Sequence, residues 1–128
     1  MSKKLFFIPC ISVVMMMLVS CNRSKPEEII CTMEFRTIGI QVNGNTLDTC
    51  YTVRLTNNDT IWPNTQMVLY DHLYPVLTDM YQPHLVNQLD SFRFCGYLQG
   101  MKVVDEIFKI KADECHIDYV SGKTEVTL

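Results

Sequence analysis

The chain has no basic cluster or run. Its 11 Lys and Arg are outnumbered by 14 Asp and Glu, for a net charge of −3 at pH 7. A nucleic-acid binder needs a concentrated positive face, so that class of partner is excluded. No two cysteines stand at the close CxxC spacing expected of a structural zinc site. The histidines, His72, His84 and His116, have no i, i+4 or short-loop spacing among themselves. Even with Asp71, Asp113 or Cys115 at hand, they do not read as metal ligands. No repeat with a period of about 20–50 residues appears, which excludes a solenoid or propeller. No apolar run reaches the roughly 20 residues needed to span a hydrocarbon core. No catalytic or cofactor motif emerges, so neither an enzyme nor a cofactor is expected. Cys115 and His116 are adjacent, but neighbours in a strand point to opposite faces and cannot form a nucleophile–base pair. Asp105-Glu106 and Asp113-Glu114 diverge for the same reason.

What is present begins at the N-terminus. Lys3-Lys4 precedes an apolar run from Leu5 to Met17, interrupted by Pro9. Leu18-Val19-Ser20-Cys21 follows. A positive start, an apolar middle and a small residue before the cut make an export signal. The Leu-Val-Ser-Cys sequence resembles the lipobox of bacterial lipoproteins. That resemblance implies a lipid on the thiol of Cys21 and removal of residues 1–20, with more than one acyl chain needed for firm anchoring. An ordinary secretory signal and an uncleaved anchor are the alternatives. Asn22 stands where the family's inner-membrane retention signal is usually Asp, so the outer membrane is favoured. Residues 21–29 then comprise the lipidated cysteine and a polar tether, and residues 30–128 comprise one domain.

The domain reads as short strands. Ile30 to Val42 alternates with a phase shift, and a β-bulge near Arg36-Thr37 would keep Cys31, Met33, Phe35, Ile38, Ile40 and Val42 all inside. Asn43-Gly44 predicts a hairpin turn into a strand over 46–55. There Leu47, Tyr51, Val53 and Leu55 share one face, and Asp48, Cys50, Thr52 and Arg54 share the other. Thr60-Ile61-Trp62 and Met67-Val68-Leu69-Tyr70 predict two more strands. Pro83 is expected to open a short helix through Leu89. Strands follow at 92–98 and 101–111, around Cys115–Tyr119, and at 124–128. The predicted fold is all-β, a sandwich of seven or eight strands.

Apart from Cys10 in the signal and Cys21 under lipid, four cysteines remain: Cys31, Cys50, Cys95 and Cys115. An even number in a small exported domain suggests two disulfides with three possible connectivities. Strand parity places Cys31 and Cys115 inward and Cys50 and Cys95 outward. Bridged Cβ atoms must face each other, so parity favours Cys31–Cys115 and Cys50–Cys95.

Tyr74-Pro75-Val76-Leu77-Thr78-Asp79, Phe92-Arg93-Phe94, Ala112-Asp113-Glu114-Cys115-His116-Ile117 and Val120-Ser121-Gly122-Lys123 resemble segments of small uncharacterised lipoproteins of gut Bacteroidetes. Several of those look like carboxypeptidase-regulatory or transthyretin-like modules. The resemblance implies an immunoglobulin-like or transthyretin-like sandwich without intrinsic catalysis, and it carries over no functional residue. Asp59-Thr60-Ile61 is similar to the O-glycosylation acceptor of that phylum, which makes Thr60 a candidate. Trp62, Tyr70, Tyr74 and Tyr81 gather in the least regular stretch and form the expected contact surface. The expected function is a lipid-anchored binding or structural accessory module of the envelope, for a protein partner or a glycan. The alternative is an exported inhibitor of a protease or other hydrolase.

Overall fold

The computed structural model describes residues 26–63 and 71–128. Cys21, Tyr70 and the strand expected at 67–70 lie outside the described residues. Two sheets make the body of the domain. In chain order the strands are β1 (Thr37–Asn43), β2 (Thr49–Arg54), β3 (Asp59–Ile61), β4 (Leu73–Thr78), β5 (Leu89–Leu98), β6 (Met101–Ala112), β7 (Ile117–Ser121) and β8 (Glu125–Thr127). One sheet has the order β4-β1-β8 and the other the order β3-β2-β5-β6-β7. All pairings between these strands are antiparallel except β1 with β8. A 3-10 helix, Asp79–His84, joins the end of β4 to the approach to β5. Among the described residues no helix is long and apolar enough to cross a membrane.

The core follows from alternation. β1 turns Ile38, Ile40 and Val42 inward, and β6 does the same with Val104, Phe108, Ile110 and Ala112. Phe92, Phe94 and Phe108 are fully buried. Each such ring is worth roughly 1.5–3 kcal/mol of burial free energy. Gly96 continues the inward parity of β5, and a Cβ there would meet Leu47 Cδ1 at 2.7 Å. Leu47 therefore packs directly over the backbone.

Several expectations from sequence are corrected. The opening strand starts at Thr37, and Met33 and Phe35 are exposed rather than inside. The bulge falls at Ile38/Gly39, within the β1–β4 pairing. Asn43-Gly44 does not close a hairpin, because β1 and β2 belong to different sheets. Gly44 takes a positive φ of 106°, and the chain crosses there between sheets. Pro83 lies near the end of the 3-10 helix rather than at its start, and Leu89 is an exposed strand residue.

The largest correction is the facing of β2. Cys50, Thr52 and Arg54 point into the core, while Tyr51 and Val53 are only half-buried on the outer face. Polar residues can face inward because each finds a partner. The Thr52 hydroxyl donates to the Val76 carbonyl at 2.7 Å. Arg54 donates to Asp90, to the His84 carbonyl at 2.9 Å and to Gln88 at 3.1 Å. Tyr51 is compensated outside by Trp62 and Tyr97, which flank its ring.

That inversion decides the cysteines. Cys31 and Cys115 are bridged, with Cα atoms 5.3 Å apart. Both lie outside the strands, and Cys31 is exposed, so strand parity is not what brings them together. Cys50 and Cys95 are not bridged. In the β2–β5 register Cys50 faces Gly96 and Tyr51 faces Cys95. Residues directly opposite share a face, so Cys50 points into the core and Cys95 points outward beside Tyr51. Their sulfurs are on opposite sides of one sheet.

Candidate functional site

The short edge strand β3 carries Trp62 out of the sheet. Asn57 and Asn58 make the turn before it: Asn58 adopts φ 58°, and Asp59 N–H donates to Asn57 Oδ1 at 3.0 Å. Pro63 then denies the ladder another donor. Trp62 remains 63 % exposed, with its ring centroid 5.1 Å from that of Tyr51. Tyr51 lies 5.8 Å from Tyr97 in a near-parallel stack. The two tyrosine hydroxyls hydrogen-bond at 2.9 Å, and that bond is the first cause pushing the Tyr51 hydroxyl up to about 12. The Tyr51 phenol therefore stays protonated at physiological pH.

Beside Trp62 is a cavity of about 210 Å³. Pro63, Pro75, Met80, Tyr81 and His84 contribute to its wall. Tyr81 is the fixed member of that wall. Its hydroxyl donates to Asp59 Oδ2 at 2.8 Å, and its ring meets Phe92 edge-on at 5.9 Å. The Arg54 guanidinium sits 6.0 Å from the ring centroid. Burial and the Asp59 carboxylate both push the Tyr81 hydroxyl up. The opening is largely apolar, has two ring faces, and has room for one side chain or one sugar ring.

The sequence brought the right segment forward but not every residue in it. Trp62 and Tyr81 do line one opening. Tyr74 does not. It is buried, and its hydroxyl accepts the Leu47 N–H at 2.9 Å, so it ties β4 to the turn before β2. Tyr51 and Tyr97 were missed, because reading β2 in the wrong phase put Tyr51 in the core. Thr60 is exposed in β3.

A second polar cluster was not foreseen. Asp79 accepts the Arg36 N–H at 2.8 Å, the Ile117 N–H at 2.8 Å and a bond from His116 Nδ1 at 2.8 Å. Burial pushes the Asp79 carboxyl up, but those donors together outweigh it and hold it below the usual carboxylate range. Nδ1 must therefore carry the proton. In a neutral imidazole Nε2 then accepts from the Thr32 hydroxyl at 2.9 Å. Arg36 pairs with Asp118 on the same side. The order Thr32–His116–Asp79 matches the nitrogen usage of a hydrolase relay. None of the three lines the cavity beside Trp62. Their bonds instead fasten residues 32–36 to the 3-10 helix and β7, beside the Cys31–Cys115 bridge. The signal that could have found this cluster is Asp113-x-Cys-His. Asp113 Oδ1 caps the turn by accepting the Cys115 and His116 N–H groups, both at 2.7 Å.

The histidines sit apart in role. His116 belongs to this cluster, the His84 ring is tilted against that of Tyr81 with centroids 5.2 Å apart, and His72 precedes β4. Among the described residues no three His, Cys, Asp or Glu side chains group to hold a metal ion.

Comparison with family models, with curated proteins and with solved structures finds no match.

Proposed function

We propose that this chain is a lipid-anchored domain of the bacterial envelope, acylated at Cys21 and favouring the outer membrane, that binds a protein partner or a glycan. On this reading its fold is an immunoglobulin-like or transthyretin-like sandwich, and Thr60 is an O-glycosylation acceptor on its edge strand. The observation that carries the binding role is Trp62. A lone tryptophan is left mostly exposed, is backed by Tyr51 and Tyr97, and opens onto a cavity walled by Tyr81 and His84. Exposed rings held by other rings lose little entropy on binding and present an apolar face to a side chain or a sugar. The polar relay at His116 fits a structural role on this reading, and the function is non-catalytic.

The test is a pull-down from native envelopes, paired with glycan-array binding, comparing wild type with Trp62→Ala and Met80→Ala. Neither residue is buried, so both variants should keep the native fold by circular dichroism. A ligand held by wild type and lost by the folded variants supports the reading. A ligand retained equally by all three proteins removes Trp62 from the binding surface.

A further inference from the structure

Residues 29–35, Ile-Ile-Cys-Thr-Met-Glu-Phe, join no sheet. Ile29, Ile30, Met33 and Phe35 are all exposed, Met33 and Ile30 almost completely. Four large apolar side chains in one short segment are not needed by the core. They are not on a loose end either. Cys31 is bridged to Cys115, Thr32 bonds to His116, the Arg36 N–H bonds to Asp79, and the Arg36 side chain pairs with Asp118. The fold thus commits a disulfide and three polar contacts to holding apolar residues in water.

We propose that Ile29, Ile30, Met33 and Phe35 form a membrane-contact surface that seats the domain on the bilayer holding its own acyl anchor. The inference rests on acylation at Cys21. Ile30 follows Cys21 by nine residues, so even a fully extended leash holds it within roughly 30 Å of the lipidated sulfur. Glu27, Glu28 and Glu34 flank the apolar side chains and can face the amines of a zwitterionic headgroup. The apolar residues then enter the boundary between headgroups and acyl chains, where apolar area and an acyl chain act together. An anionic bilayer suits the acidic flank less, so the surface in question is rich in phosphatidylethanolamine.

The placement also orients the molecule. β6 runs from Met101 to Ala112, and Asp113 and Cys115 follow directly at the Ala112 end. Met101, exposed at the other end, stands about 36 Å away along the strand. The segment should therefore touch lipid while Met101 does not.

The experiment uses the full chain, made in a bacterium that acylates lipoproteins and reconstituted into phosphatidylethanolamine–phosphatidylcholine vesicles. Half the preparations carry lipids brominated near the headgroup end of the acyl chain. The chain has one tryptophan, so Met33→Trp/Trp62→Phe and Met101→Trp/Trp62→Phe each report from a single position. The expected result is that position 33 loses most of its fluorescence to brominated lipid and position 101 loses none. If neither position is quenched on acylated, vesicle-bound protein, the inference is overturned and the segment is left facing a protein partner, as an inhibitor's braced loop would. Equal quenching at both positions overturns it as well, because the domain then has no fixed seat. If intact mass shows no acyl group and the protein does not float with the vesicles, the anchoring reading falls and this inference falls with it.

Discussion

Replacing Arg54 with methionine tests the inverted facing of β2 more sharply than any other change. The Arg54 and Asp90 side chains are only 11 % and 10 % exposed. Asp90 also accepts the Thr56 hydroxyl and the Ser91 N–H. Burial pushes the Asp90 carboxyl up, but the bonds from Thr56, Arg54 and Ser91 bring it below the usual range, so it is ionised in the folded chain. Arg54→Met leaves that carboxylate buried without its cation and also leaves the His84 carbonyl and Gln88 unpaired. Breaking one partner of a buried ion pair costs about 3–5 kcal/mol. Had Arg54 pointed to solvent, as hydrophobic alternation suggests, the loss would stay below about 1 kcal/mol. Urea unfolding followed by far-ultraviolet circular dichroism separates the two cases. The midpoint should fall steeply with little change in slope. Arg54→Met/Asp90→Leu, which removes both charges, should recover much of the loss, and that non-additivity identifies the pair as the cause. A single-mutant loss under about 1 kcal/mol would refute the inward placement of Arg54.

Three further outcomes follow from the same structure. Asp79 and Asp90 are both held below the usual carboxylate range. Their contribution is complete above the unfolded-state value, near pH 4, and is lost as pH falls through the folded-state values. Asp79→Asn should therefore flatten the acid limb of the stability curve, and an unchanged limb would show that His116 and the two N–H donors do not stabilise the ionised form. Cys31→Ser/Cys115→Ser opens a link between residues 84 apart. The chain-entropy model gives a loss of about 4–5 kcal/mol, an upper bound for the drop measured in urea. Cys50 and Cys95 are buried and unbridged, and burial pushes the Cys50 thiol up to about 11. Neither should react with iodoacetamide in the native domain and both should react in urea. A native bridge between them, seen by mass spectrometry, would contradict the β2–β5 register.

Much of the strand pattern was legible because alternation is a strong signal where one face is fully apolar. Phe92 and Phe94, and Phe108 through Ala112, are of that kind. β2 defeated the same rule. Tyr51 and Val53 are more apolar than Thr52 and Arg54, yet they face out. Burial of Thr52 and Arg54 depends on partners 24 to 36 residues away, at Val76, His84, Gln88 and Asp90. Local periodicity does not carry such partners. The candidate site shows the same division. Trp62 and Tyr81 were readable as aromatics near prolines and turns. Tyr51 and Tyr97 were not, because they enter the site through the phase of β2 and its pairing with β5. The Cys31–Cys115 bridge was expected for a reason that does not hold, since both cysteines lie in irregular segments and the His116 turn brings them together.

The parallel pairing of β1 with β8 has a consequence for how the domain comes into being. β1 is the middle strand of its sheet, and one of its edges is satisfied only by Glu125–Thr127. The first strand made must therefore wait, with that edge open, until residues 125–127 have been synthesised and delivered. Closing a contact between such distant segments is slow, and an open apolar strand edge is sticky in the meantime. A ribosome that stops short of residue 125 would release a chain whose earliest strand has no permanent neighbour on that side, which gives a quality-control protease a ready mark of incompleteness.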